Sequence, residues 1–242
     1  MSNDEHAEAV QARSRETAEK MAELDASRRD AFREEIRRFL EPSGDERVLD
    51  AGAGTGGFAL AVAPLVREVV AVDAAPAVVA VGRERAEPFP NVTFVEGDAT
   101  RVPFADGSFD VAAAVRTLHH VARPELVVAE LLRVTSFRGQ MLLVDQIAPT
   151  DPLVAYDLDR FERARDSSHT RLLPDVDIRS LLDANGLVLR RAEFQQEGRD
   201  VEKYLDLAGC VGDERDRAAA IAPRGYTATI SWYLASRQQV AA

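Results

Sequence analysis

The chain predicts a doubly wound α/β sheet with helices on both faces, on the strength of three observations. Short apolar segments alternate with helix-length segments from Arg47 to Asp145. The first of these strands runs directly into a glycine-rich turn, Gly52-Ala53-Gly54-Thr55-Gly56-Gly57. Two more strand-like segments, Leu187 to Phe194 and Tyr226 to Leu234, lie near the end of the chain. Strands and helices alternating at this spacing give a parallel sheet buried on both sides.

Taken in order, residues 4–40 are highly charged and lack Gly and Pro, which favours helix. Phe32, Ile36, Phe39 and Leu40 fall on one face of it. The earlier part offers only Val10, Met21 and Leu24 among alanines and charges, so it is a candidate lid over a ligand site. Glu41-Pro42-Ser43-Gly44-Asp45 breaks this helix, and Arg47 to Leu49 form the first strand. Phe58 to Val62 begin a helix after the glycine turn, and Glu68 to Asp73 form a second strand ending on an acid. Pro76 suits a first helical position and opens a helix to about Ala86. Asn91 to Glu96 is the third strand, and Phe109 to Val115 the fourth, after an Asp106-Gly107 turn. Pro124 opens a helix to about Val134, with Val127, Leu131 and Val134 aligned. Gln140 to Asp145 is the fifth strand. Beyond it, Asp151 to Asp166 reads as a helix, and another runs from Pro174 to a stop at Asn185-Gly186. Polar helical pieces at 201–207 and 213–221 separate the last two strands. Residues 1–40 are therefore expected to be a helical extension. Residues 41–242 are expected to be one domain with helical insertions at about 151–185 and 199–223.

Composition narrows the function. A net charge of −11 argues against nucleic acid or an anionic membrane as the main partner, since both require a dense basic field. No apolar run reaches the roughly 18 residues needed to span a bilayer. The start, Met1-Ser2-Asn3-Asp4-Glu5, is unlike a secretory signal, so a cytoplasmic location is expected. Cys210 is the only cysteine, and its spacing from the four histidines and nearby acids does not resemble a metal site.

The glycine turn carries the chemistry. Tight turns at a helix start gather backbone N–H groups and the positive end of the helix dipole. The spacing Gly52-x-Gly54-x-x-Gly57, with Asp73 downstream, formally fits a dinucleotide site. Asp50 and Asp98 point elsewhere. A carboxylate just before the turn repels a pyrophosphate and attracts an ammonium. An NAD-binding oxidoreductase and a protein that binds an ammonium-bearing ligand both stand at this point.

Several segments together resemble the class I S-adenosylmethionine-dependent methyltransferases. Val48-Leu49-Asp50-Ala51-Gly52-Ala53-Gly54-Thr55-Gly56 resembles their first motif, Val70-Ala71-Val72-Asp73 their second and Glu96-Gly97-Asp98-Ala99 their third. Val102 to Val111 and Leu118-His119-His120 are similar to the methyltransferase type 11 subgroup, which contains the ubiquinone/menaquinone-biosynthesis C-methyltransferases. The likeness covers about residues 44–146 and fades beyond Ile147. One departure is Ser136-Phe137-Arg138-Gly139, where the family often has Lys-Pro-Gly-Gly.

The resemblance implies a Rossmann-like, seven-stranded, mostly parallel sheet with an antiparallel last strand. It implies S-adenosyl-L-methionine as cofactor, S-adenosyl-L-homocysteine as product, and in-line methyl transfer to a small organic molecule. Gly52, Ala53, Gly54 and Gly56 would pass close to the methionyl part, Asp50 would meet its ammonium, and Asp73 would hold the ribose hydroxyls. Asp98 and Ala99 would bind the adenine edge, Ala74 would touch its face, and the backbone of Arg116 would close the site. His120 first, then His119 and Asp145, are the candidates for a general base. His169, in a polar loop, is expected at the surface. A non-catalytic S-adenosylmethionine-binding or partner subunit would keep the same binding residues.

Overall fold

Seven strands make one sheet: β1 (Arg47–Ala51), β2 (Glu68–Asp73), β3 (Val92–Glu96), β4 (Phe109–Val115), β5 (Thr135–Ile147), β6 (Leu187–Gly198) and β7 (Thr227–Arg237). Among the described residues eight α-helices surround it: α1 (Asn3–Leu40), α2 (Gly57–Val62), α3 (Pro76–Ala86), α4 (Pro124–Val134), α5 (Pro152–Arg165), α6 (Asp175–Ala184), α7 (Val201–Leu207) and α8 (Gly212–Ala220). This computed structural model describes residues 3–238, with side chains from Thr17 onward. Val10, part of the candidate lid, therefore lies outside the described side chains.

The spatial order is β3-β2-β1-β4-β5-β7-β6. Strands β1 to β5 pair in parallel, and β7 runs antiparallel to both β5 and β6. The sheet thus has seven strands with the last one reversed, as expected. Chain order reverses direction between β1 and β4, and ligands of open α/β sheets bind where the carboxyl ends of such strands diverge.

Alternation along β1 sends Val48 to one face and Leu49 to the other. Val48 joins a core with Phe58, Leu60, Leu142 and Trp232, whereas Leu49 packs with Val70, Leu131, Met141 and Tyr233. Both faces of the sheet are covered. Buried strands of this kind read as continuous apolar runs.

The fifth strand begins earlier than expected, because α4 passes into β5 without a loop. Thr135 pairs with Phe109, and then the register jumps to Gln140 opposite Val111. Residues 136–139 stand opposite Asp110 alone, and the departure at Ser136-Phe137-Arg138-Gly139 is this bulge. A Cβ on Gly139 would lie 2.6 Å from the Asp110 carbonyl oxygen, so the close approach keeps its glycine.

A second glycine sets the packing of α3. A Cβ on Gly82 would lie 2.3 Å from Phe94 Cε1, and one on Gly56 would lie 2.8 Å from Phe94 Cζ. The Phe94 ring thus fills the space between α3 and the glycine turn. Gly82→Ala gains about 1 kcal/mol of helix propensity but overpacks this ring. We expect a net loss of about 1–2 kcal/mol and a melting midpoint lower by roughly 2–8 °C. A variant melting at or above the wild type would mean that Phe94 moves aside freely.

Helix α1 packs on one face of the sheet, where Ile36, Phe39 and Leu40 join the core of Val48 and Trp232. Near its C-terminus, Phe39 and Phe32 pack on Trp232 with ring centroids 5.3 and 5.7 Å apart, and Arg38 grips Glu193 at 2.7 and 2.8 Å. Further back, Arg33 donates to the Ala61 carbonyl, and Ala18 packs on Ala75 and Val78. The helix therefore runs from the β6–β7 side, past the glycine turn, to the residues just after Asp73. No helix among the described residues is long and apolar enough to cross a membrane.

Candidate functional site

The chain turns at the end of β1 because the N–H groups of Gly52 and Ala53 both donate to the Val72 carbonyl, at 2.8 and 2.9 Å. Gly52 has φ +76°, and a Cβ there would stand 2.3 Å from Thr117 Cγ2. Conformation and space both require glycine. Thr117 in turn places its hydroxyl 3.2 Å from the carbonyls of Ala51, Gly52 and Val115, tying the turn to the end of β4. Gly54 also has positive φ, but the space above it is empty. That open surface is where a ligand can lie against the backbone.

Asp50 sits beneath the turn and is 1% exposed. Its Oδ2 accepts from the Ala59 N–H at 3.1 Å, while Oδ1 is buried with no hydrogen-bond partner among the described residues. Burial, with smaller contributions from the Asp73 and Asp25 charges, pushes its pKa up to about 8 against the opposing Ala59 N–H. An orphaned buried carboxylate oxygen is costly, and a cationic donor relieves that cost. This acceptor suits an ammonium and not a phosphate.

Asp73 closes β2. Its Oδ2 accepts from the Gly54 N–H and its Oδ1 from the Ala75 N–H, each at 2.9 Å. Burial raises its pKa, opposed by these N–H groups. Each oxygen keeps acceptor capacity for a diol. Ala74 beside it is exposed. After β3, Asp98 uses Oδ1 to accept from the Thr100 N–H and hydroxyl at 2.7 and 2.8 Å, and Ala99 is buried next to it. Arg116 follows β4 with φ +55°, a conformation that non-glycine residues rarely hold, and its N–H donates to the Val144 carbonyl. Asp50, the glycines and Ala53, Asp73 and Ala74, Asp98 and Ala99, and Arg116 thus occupy the carboxyl ends of four adjacent strands.

Two residues of this region went unnoticed in the sequence. Arg85 on α3 donates to the Thr55 carbonyl at 2.6 Å and its hydroxyl at 2.9 Å, and to the Ala22 carbonyl of α1 at 2.9 Å. Asp25 of α1 lies 3.6 Å from Arg85 and 3.3 Å from the Thr55 hydroxyl. Together they latch α1 to the glycine turn. Neither has a local motif; only the packing of α1 brings them together.

A second constellation lies past β4 and β5. His119 Nδ1 is 2.5 Å from Asp145 Oδ1, and the His119 N–H reaches Asp145 Oδ2 at 3.3 Å. Burial works to raise the Asp145 pKa, yet the His119 imidazole and the Gln146 N–H bring it below the usual carboxylate range. Burial likewise opposes charge on His119, yet Asp145 raises its pKa above the ordinary value. An ionised carboxylate only accepts, so Nδ1 carries the hydrogen and Nε2 presents its lone pair. His120 differs: burial and its neighbour His119 push its pKa down to about 3. The direct contact with Asp145 therefore favours His119 over His120 as a proton acceptor.

His169 is not at the surface. It is 5% exposed, with Nε2 3.1 Å from Asp159 Oδ1. The loop that carries it folds back because the Thr170 N–H and hydroxyl both donate to the His119 carbonyl at 2.8 Å. Nearby, Glu162 is 2% exposed and accepts from Arg165 and from the Tyr226 hydroxyl. Among the described residues no group of histidine, cysteine and acidic side chains could hold a metal ion.

Comparison with known proteins agrees with this fold. The methyltransferase domain family matches residues 49–143. The uncharacterized methyltransferase YcgJ of Bacillus subtilis is 38% identical over 152 residues, covering 62% of this chain and 60% of YcgJ. The chain thus aligns with somewhat less than two thirds of that relative's length. The crystal structure of YcgJ superposes with a TM-score of 0.75 at 26% identity, covering 86% of this chain and 98% of that one. The ubiquinone/menaquinone biosynthesis C-methyltransferase UbiE of Burkholderia cenocepacia is 33% identical over 179 residues, 68% of this chain and 72% of UbiE. A glycine turn flanked by strand-end acids, on a sheet of this order and with kinship of this extent, places the chain among the class I S-adenosylmethionine-dependent methyltransferases, in the UbiE-like subgroup.

Proposed function

We propose that this protein transfers the methyl group of S-adenosylmethionine to a small organic acceptor, with His119 as the general base. Asp50 is the observation that carries the reading: a buried carboxylate with one orphaned oxygen, under a glycine turn at the sheet's switch point. The ammonium of a methionyl group supplies the missing donor, directly or through water. When bound, the cofactor supplies an electrophilic methyl group on a sulfonium and departs as S-adenosylhomocysteine.

The chain's own residues do the rest. Gly52, Ala53, Gly54 and Gly56 let the backbone approach the methionyl part closely. Asp73 accepts from the ribose hydroxyls, Asp98 accepts from the adenine amino group, and the Ala99 N–H donates to a ring nitrogen. Ala74 lies against the adenine face, and the Arg116 backbone closes the methionyl end. His119 Nε2 takes the proton that the acceptor must lose, and Asp145 stabilises the imidazolium so formed. Residues 41–242 act as one catalytic domain, and α1, latched through Arg85 and Asp25, closes over the cofactor and excludes water.

A base of this kind suits an acceptor whose oxygen, or hydroxyl-activated carbon, becomes nucleophilic on losing a proton. Relatives named demethylmenaquinone methyltransferase and UbiE favour a quinol-like or other aromatic acceptor. The net charge of −11 favours a small molecule over nucleic acid. An NAD-dependent oxidoreductase is disfavoured by Asp50, because a pyrophosphate would leave its buried carboxyl without the cationic partner that favours ionisation.

Thermal denaturation discriminates these readings. A ligand at a hundredfold excess over Kd stabilises by about 2.7 kcal/mol, which raises the midpoint by roughly 5–10 °C in a chain of this size. S-adenosylmethionine and S-adenosylhomocysteine should do this and NAD should not. Stabilisation by NAD alone would instead support the oxidoreductase. If none of the three stabilised the protein, a fold kept for a partner role would be the better reading.

A further inference from the structure

Helix α1 is held in two ways along its length. From Phe32 onward it belongs to the core: Ile36, Phe39 and Leu40 are buried, and Phe32 and Phe39 pack on Trp232. Between Ala18 and Asp25 its contacts are small or polar. Ala18 packs on Ala75 and Val78, Lys20 donates to the Asp206 carbonyl at 3.0 Å, and Met21 and Leu24 are only partly buried. Ala26, Ser27, Arg28 and Asp30, which join the two parts, are exposed. Aromatic and branched side chains bury far more apolar area than alanines do, so the earlier part opens at lower cost than the later one.

The earlier part also straddles the carboxyl ends of the strands. Ala75 follows Asp73 at the end of β2, Thr55 lies in the turn that ends β1, and Asp206 lies on α7, which follows β6. Arg85 joins α1 to this surface with a single guanidinium. One terminal nitrogen donates to the Thr55 carbonyl at 2.6 Å and to its hydroxyl at 2.9 Å, and the other donates to the Ala22 carbonyl at 2.9 Å. Asp25 sets its carboxylate 3.6 Å from the same guanidinium and 3.3 Å from the Thr55 hydroxyl. The Arg85 side chain is 14% exposed, so water competes weakly for these bonds. A planar fork reaches both elements at once, as a lysine ammonium does not.

We propose that Arg85 is a positioning residue: it latches residues 18–25 over the glycine turn, and release of this latch gates the entry and exit of the cofactor. The hinge is the mostly exposed stretch between Asp25 and Phe32, and the core packing beyond it keeps the helix attached while the latch is open. Thr55 follows Gly54 directly, so a methionyl group against the open face of Gly54 lies next to the latch. This inference rests on that placement of the cofactor and adds what controls its exchange.

The test is surface plasmon resonance of S-adenosylhomocysteine on the immobilised full chain. Arg85→Ala should raise both the association and the dissociation rate, the latter by about 10-fold or more for the charged hydrogen bonds lost, so that Kd changes less than the dissociation rate. Arg85→Lys, which keeps the charge without the fork, should behave as Arg85→Ala does. Asp25→Asn should move both rates the same way by less. Loss of a merely structural arginine would distort the turn and speed dissociation without speeding association. That pattern, or unchanged rates, would overturn the proposal. A second variant covers poor folding of the first: Ala18→Cys with Val78→Cys, the native Cys210 being buried. Its oxidised form should take up and release the ligand far more slowly than its reduced form, and equal rates in the two forms would overturn the gate. A misplaced cofactor shows differently, as a normal affinity in Asp73→Ala.

Discussion

Asp50→Asn should melt at a higher temperature than the wild type at mildly alkaline pH and yet bind S-adenosylmethionine about 100-fold more weakly. The two effects share a cause. In the ligand-free protein the Asp50 pKa is raised from 3.8 to about 8, chiefly by burial. A carboxyl with a raised folded-state pKa contributes stability that is fully present below its unfolded value and is lost as pH rises through its folded value. The wild type therefore pays a growing cost between about pH 4 and about pH 8, on the order of 2–4 kcal/mol at neutrality. Asparagine has no charge to desolvate, so the gap between variant and wild type should widen across that window and level off above it.

Binding reverses the sign. An ammonium beside Asp50 makes the ionised form the favoured one, so cofactor uptake at neutral pH should release close to one proton from the wild type. None of this release should persist in Asp50→Asn. Calorimetry in buffers of different ionisation enthalpy reads it directly. A variant that binds normally, or melts lower than wild type throughout the window, would remove Asp50 from the ammonium's side. Stability given up at a functional site in this way is common among enzymes.

The second large effect belongs to His119. Loss of a general base typically costs about 10²–10⁴ in rate, so His119→Ala should lose that much in kcat while binding cofactor normally. His120→Ala should lose less, because its low pKa leaves it a weak base. The wild-type rate should rise with pH along a limb set by His119, above the ordinary histidine pKa, since the proton-accepting form is the neutral one. Asp145→Asn removes the charge that raises that pKa, and the limb should shift to lower pH as kcat falls. A pH profile unmoved by Asp145→Asn, or a His119→Ala enzyme of normal kcat, would assign the proton transfer elsewhere.

Much of the fold was legible because the sheet's inner strands are continuous apolar runs and their helices begin at prolines. Pro76 and Pro124 mark α3 and α4 to the residue. The early start of β5 was hidden, since the Thr135 to Gly139 stretch carries polar and charged residues that belong to a bulge. In the candidate site, Asp50, Asp73 and Asp98 announce themselves by standing at strand ends. The roles of His119 and His120 do not, because they depend on which carboxylate arrives from β5 and which from the loop after α5. His169 illustrates the same limit: a polar neighbourhood reads as surface until the Thr170 bonds fold the loop inward. Arg85 and Asp25 meet only after α1 has packed.

Cofactor binding at the junction of β1 and β2 is tested most directly by calorimetry of S-adenosylhomocysteine against the wild type and Asp73→Ala. Asp73 holds Gly54 and Ala75 through its two oxygens and would accept both ribose hydroxyls. The wild type should bind in the micromolar range, and Asp73→Ala about 100-fold or more weakly, from two charge-assisted hydrogen bonds lost. Equal affinity in the two proteins would contradict the ribose assignment. An absence of binding to the wild type would contradict the cofactor itself.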